Sequence, residues 1–102
     1  MSKFAFVYAG GAMAETPEAQ QASMAAWTAW FSTLGDTIVD VGNPFGGSAT
    51  ISGAGVSESG RLGASGYSLV TANSLAEAVG LAKGCPIIAD GGTVDVYEAI
   101  EM

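Results

Sequence analysis

The chain has 102 residues, 10 of them acidic, 3 basic and none histidine, for a formal charge of −7. A chain of this length makes one domain, here spanning 1–102, and buries about two-thirds of its unfolded surface. That charge balance excludes a phosphate-backbone binder, which needs a basic footprint, so no nucleic-acid partner is expected.

Without histidine, the chain has no Ser-His-Asp or Cys-His nucleophile and no histidine-ligated metal of its own. Charged residues amount to 13% and hydrophobic ones to 49%, against roughly 25% charged in ordinary domains. A surface so poor in charge is expected to be covered, most simply by a second copy of the chain.

In chain order, Phe4, Phe6 and Tyr8 alternate with smaller residues, a period of two that predicts a strand over 4–8. Gly10 and Gly11 end it. Lys3, the apolar run after it and Ala12-Met13-Ala14 loosely imitate a secretory signal, but the glycines interrupt the run and cleavage would remove a core strand. No stretch reaches the ~20 apolar residues of a membrane span, and Cys85 has no partner for an intrachain disulfide. Together these predict a cytoplasmic protein without a membrane partner.

Thr16-Pro17-Glu18 opens a helix with a hydroxyl cap, a proline at the first helical position and an acid in the first turn. Gln20, Met24, Trp27, Phe31 and Leu34 then share one stripe, flanked by Ser23 and Trp30, and Gly35 fits a left-handed cap. A short β-branched strand is expected over 37–41, stopped by Gly42-Asn43-Pro44. A weaker strand over 48–52 and a Gly/Ser-rich connection over 53–65 follow.

A strand over 67–72 precedes Ser74-Leu75-Ala76-Glu77, which matches a capping box. Leu75, Ala78, Val79 and Ala82 line the second helix, ended by Gly84 with Pro86 beyond. Asp90-Gly91-Gly92 turns into a last strand over 93–100. With the middle strands merged into a hairpin, the order is βαββαβ, a ferredoxin-like α+β sheet with both helices on one face.

Few residues carry chemistry. The stretch over 42–48 echoes a phosphate-binding loop but lacks its lysine, and Pro44 removes an amide donor. Gly53-Ala54-Gly55 lacks the third glycine of a dinucleotide fingerprint. The scattered acids form no divalent-metal loop. Neither a cofactor nor a metal is expected. Cys85, between Gly84 and Pro86, reads as a small buried apolar residue.

Two clusters remain. Trp27 and Trp30 lie near the aromatic strand, where tryptophan is more often core than ligand cage. Asp36, Asp40 and Asn43 surround a short strand, and Asp40 interrupts an apolar run, as a proton-transfer carboxylate or as a solvated edge residue.

The ordered pieces resemble the YCII-related (YCII/DGPF-like) family across essentially the whole chain. The resemblance rests on Phe6-Val7-Tyr8-x-Gly10-Gly11, on Trp27-x-x-Trp30-x-x-x-Leu34-Gly35 leading to Gly42-Asn43-Pro44, on the run from Gly66 to Ala78, and on Lys83-Gly84-Cys85-Pro86. It implies a ferredoxin-like protomer that dimerises through its sheet into an α/β barrel.

Some members of the family hold a histidine and an aspartate in a pocket; this chain has no histidine. A related branch carries Asp-Gly-Pro-Phe where this chain reads Val56-Ser57-Glu58-Ser59-Gly60.

The expected function is a homodimer binding a small organic molecule in an aromatic-lined pocket. Tyr8 and Trp27 would supply its shape, and Asp40 and Asn43 its polar contacts. The alternatives are a cofactor-independent lyase or isomerase with Asp40 as catalytic acid or base, and a dimeric scaffold for another protein.

Overall fold

The computed structural model of the protein describes residues 1–11 and 15–101; the signal-like Ala12-Met13-Ala14 lies outside the described residues. In chain order the elements are β1 (Ser2–Ala9), α1 (Pro17–Leu34), a 3-10 turn (Gly35–Thr37), β2 (Ile38–Asp40), β3 (Thr50–Ser52), β4 (Gly55–Ser57), β5 (Ala64–Ala72), α2 (Leu75–Ala82), α3 (Pro86–Ala89) and β6 (Thr93–Ala99). They form a mixed α+β domain around a four-stranded antiparallel sheet ordered β2–β5–β1–β6. No helix among the described residues is long and apolar enough to cross a membrane.

Alternation along β1 decides which side of the sheet is core. Phe4, Phe6 and Tyr8 point to one face and are buried, and their partners across β5 are Val70, Ser68 and Gly66. All three helices contribute to this side: Trp30 and Leu34 from α1, Ala78 and Ala82 from α2, and Ile87 from α3 join the same buried cluster. Phe6 stacks on Trp30 with ring centroids 6.1 Å apart, a geometry that adds to the gain from area burial. The opposite face carries Ala5, Val7, Leu69 and Tyr97 together with Lys3, Tyr67, Thr71 and Asp95, and no helix among the described residues lies over it; Tyr97 is 58% exposed.

Helix α1 begins where its cap chemistry dictates. Thr16 Oγ1 accepts the Ala19 amide at 3.1 Å, and Pro17 takes the first helical position. Its buried stripe is rotated from the expected one. Trp30 and Leu34 are buried, Trp27 and Phe31 half-buried, while Gln20 and Met24 face outward. Gly35 has φ 53° as expected, but its ψ of −124° is outside the left-handed helical region, because the chain turns at once into the 3-10 turn.

Ser74 caps α2 by accepting the Glu77 amide at 3.1 Å, the serine half of the capping box. Leu75 and Val79, expected on the packed face of α2, are 50% and 38% exposed.

Two elements differ from the sequence reading. The connection over 53–65 is not wholly loop: Gly55–Ser57 pairs with Thr50–Ser52 as a separate two-stranded hairpin, with Ile51 opposite Val56. The weak strand therefore joins no main sheet, and β2 pairs directly with β5. Between Cys85 and Asp90 the chain forms α3, with Pro86 at its first position and Ile87 turned into the core. Proline at that position is a helix-start signal that the strand-bound reading passed over.

Candidate functional site

A cavity of about 480 Å³ opens between α1 and the end of the sheet where β1, β5 and the 41–44 segment meet. Its formation starts from glycine. Gly42 has φ 77°, and a Cβ there would stand 1.7 Å from the Tyr67 carbonyl oxygen, so only glycine lets the chain after β2 lie this close to β5. The Asn43 carbonyl accepts the Tyr67 amide at 3.3 Å, and Phe45 donates to the Ser65 carbonyl at 2.8 Å. Opposite Tyr8, Gly66 lets the Asn43-Pro44 backbone come close: a Cβ there would stand 3.1 Å from the Asn43 carbonyl oxygen and 3.3 Å from the Pro44 Cα. The Gly42-Asn43-Pro44 turn is thus a close backbone crossing.

Tyr8 and Ile87, both buried, form the floor; Trp27 and Phe31 form a half-buried wall; Asn43 and Met24 stand exposed at the mouth. Trp27 meets Tyr8 edge to face, with centroids 5.0 Å apart and planes at 83°. The Tyr8 hydroxyl donates to Ser68 Oγ at 2.7 Å, which in turn donates to the Val41 carbonyl at 2.6 Å. This chain of bonds ties β1, β5 and the residue after β2 together beneath the cavity. Burial raises the Tyr8 phenol from its ordinary 10.0 to about 12, against the opposing effect of the Ser68 bond, so it remains neutral.

The residues singled out from sequence separate into two groups. Tyr8, Trp27 and Asn43 come together around this cavity. Trp30 does not: it is 5% exposed, and its Nε1–H donates to the Leu81 carbonyl at 3.2 Å, a core role. Asp40 also stands apart. It is exposed, outside the cavity lining, and its Oδ1 accepts the Gly42 amide at 2.8 Å, fixing the turn rather than facing the cavity. The structure gives Asp40 a turn-stabilising contact and does not bring it to the cavity lining. Asp36 lies in the exposed 3-10 turn.

Sequence reasoning missed Phe31 and Ile87 as site residues. Phe31 was legible as a helix-stripe residue, but the missing α3 hid Ile87.

Cys85 is buried, and desolvation raises its thiol from 9.0 to about 11, which keeps it protonated and unreactive. Among the described residues no group of three or more His, Cys, Asp or Glu side chains could hold a metal ion. A second, larger groove of about 760 Å³ runs along Ala22, Ala26 and Ala29 of α1 to Pro86 and Asp90, and Trp30 is the one aromatic residue among its described lining. Comparison of the chain with protein-family models, with curated proteins and with solved structures gave no match.

Proposed function

We propose that the protein is a YCII-like homodimer that binds a small organic molecule in the cavity between α1 and the sheet. The observation that carries this reading is the convergence of Tyr8, Trp27 and Asn43, from three separate segments, on one cavity of about 480 Å³. That volume lies within the range of ligand pockets, roughly 300–1,000 Å³, and an apolar lining with a few polar groups is their usual chemistry.

The strand order β2–β5–β1–β6, with the helices on one face, supports a ferredoxin-like protomer. The bare face of Ala5, Val7, Leu69 and Tyr97 supports pairing of two such sheets. Asp40, bonded to a turn amide outside the cavity, gives no support to an acid–base reaction there.

Comparison of two tryptophan variants tests the site. Trp27 is half-buried at the cavity and Trp30 is core. Trp27→Ala is expected to keep the wild-type circular dichroism and gel-filtration mass while losing any small molecule recovered by denaturing extraction of the purified protein. Trp30→Ala is expected to lose about 3–5 kcal/mol of stability. If Trp27→Ala unfolds as Trp30→Ala does, Trp27 is a packing residue and the site reading fails.

A further inference from the structure

We infer that the cavity selects an uncharged aromatic ligand and rejects the anionic form of the same molecule. This rests on the reading of the cavity as a binding site and adds the class of ligand.

No Asp, Glu, Lys or Arg stands among the described residues lining the cavity. All three cations of the chain lie elsewhere: Lys3 near the far end of β1 from Tyr8, Arg61 after the β3–β4 hairpin, and Lys83 at the end of α2, each exposed. An entering anion would be stripped of water with no counter-charge to meet it, in a protein whose net charge of −7 already repels it.

A cation gains from the overall field and from the ring faces of Tyr8 and Trp27, which offset the lack of a lining carboxylate, so the charge exclusion here is of anions. The floor adds no charge, because Tyr8 is neutral with its proton donated to Ser68. What the cavity does offer is flat apolar contact. Trp27 and Tyr8 stand at 83° to each other, two walls of a corner that a planar ring can enter. Asn43 at the mouth and Ser23 on the neighbouring helix offer hydrogen bonds to a neutral hydroxyl, carbonyl or amide at the ring edge.

One ring system carried in two charge states isolates the effect. The probes are naphthalen-2-ylmethanol and naphthalene-2-carboxylate, titrated at pH 7 into the ¹⁵N-labelled full chain. The two tryptophans give two indole N–H signals, assigned with Trp27→Phe, so that Trp27 reports the cavity and Trp30 the core beside it.

The alcohol is expected to move the Trp27 signal most and to bind at least about tenfold more tightly than the carboxylate, as uncompensated burial of an anion requires. A carboxylate that shifts Trp27 with equal or tighter affinity overturns the selectivity and leaves the cavity as a binding site. If no probe moves Trp27, the binding-site reading and the inference resting on it both fall.

Discussion

Tyr8 has two roles at once, and they pull on its proton in opposite directions. Its ring forms the cavity floor while its hydroxyl donates to Ser68, and burial outweighs that bond in setting its titration near 12. In the unfolded chain the same phenol loses its proton near 10.0. The folded state therefore retains a proton that the unfolded state sheds. The stability contributed by neutral, buried Tyr8 is intact below pH 10 and declines as pH rises through the 10–12 window.

Cys85, raised to about 11 from 9.0, acts with the same sign one unit lower. Urea denaturation at a series of pH values is expected to show a midpoint that falls above pH 9 and more steeply above pH 10, with a shallower fall above pH 10 in Tyr8→Phe. Equal slopes in the two proteins would mean that the phenol is not held in its neutral form by burial.

At the scale of elements, the segment after β2 has the tightest local requirement. The position of Gly42 under the Tyr67 carbonyl cannot accept a Cβ, and its φ of 77° is itself unfavourable for any other residue. Gly42→Ala is expected to cost about 2–4 kcal/mol in denaturant unfolding and to open the mouth of the cavity by displacing Asn43. Wild-type stability in that variant would mean that the crossing is looser than described.

What was legible in the sequence followed from local rules. The alternation of Phe4, Phe6 and Tyr8 marked both strand and core face, and Thr16-Pro17 marked the start of α1, because each depends only on near neighbours in the chain. The β3–β4 hairpin was blurred because its short strands are rich in glycine and serine, with Ile51 and Val56 exposed rather than packed. A two-stranded hairpin has little intrinsic stability, and its sequence signal is correspondingly faint.

Ile87 was missed for a different reason. Its place beside Tyr8 is set by α3, whose four residues are too few to display a helical period. Asp40 read as a proton-transfer carboxylate or a solvated edge residue, and its side-chain hydrogen bond is two residues away, at the Gly42 amide. The union of Tyr8, Trp27 and Asn43 depended on contacts between segments far apart in sequence, which no local pattern encodes.

The whole molecule is a thin slab. Its extents are 43 × 43 × 19 Å and its radius of gyration is 14.9 Å, larger than the about 13 Å of a compact 100-residue domain. One layer of helices on one sheet accounts for the thinness, and the separate β3–β4 hairpin for part of the spread. A two-layer domain of this kind leaves one sheet face without a partner layer among the described residues, here one on which Ala5, Val7, Leu69 and Tyr97 sit beside Lys3 and Asp95. Burying that face against a second copy would remove apolar area from water at about 25 cal/mol per Å². Face-to-face packing of two sheets would also place one cavity on each half of the assembly, since α1 lies on the opposite side of each sheet.

Native mass spectrometry of the gently purified protein tests this account most directly, because it reports subunit number and retained small molecules together. The predicted spectrum is a species at twice the 10.2 kDa chain mass, carrying a small neutral adduct on each protomer. A bare species at the single-chain mass would contradict both the paired sheets and the occupied cavity.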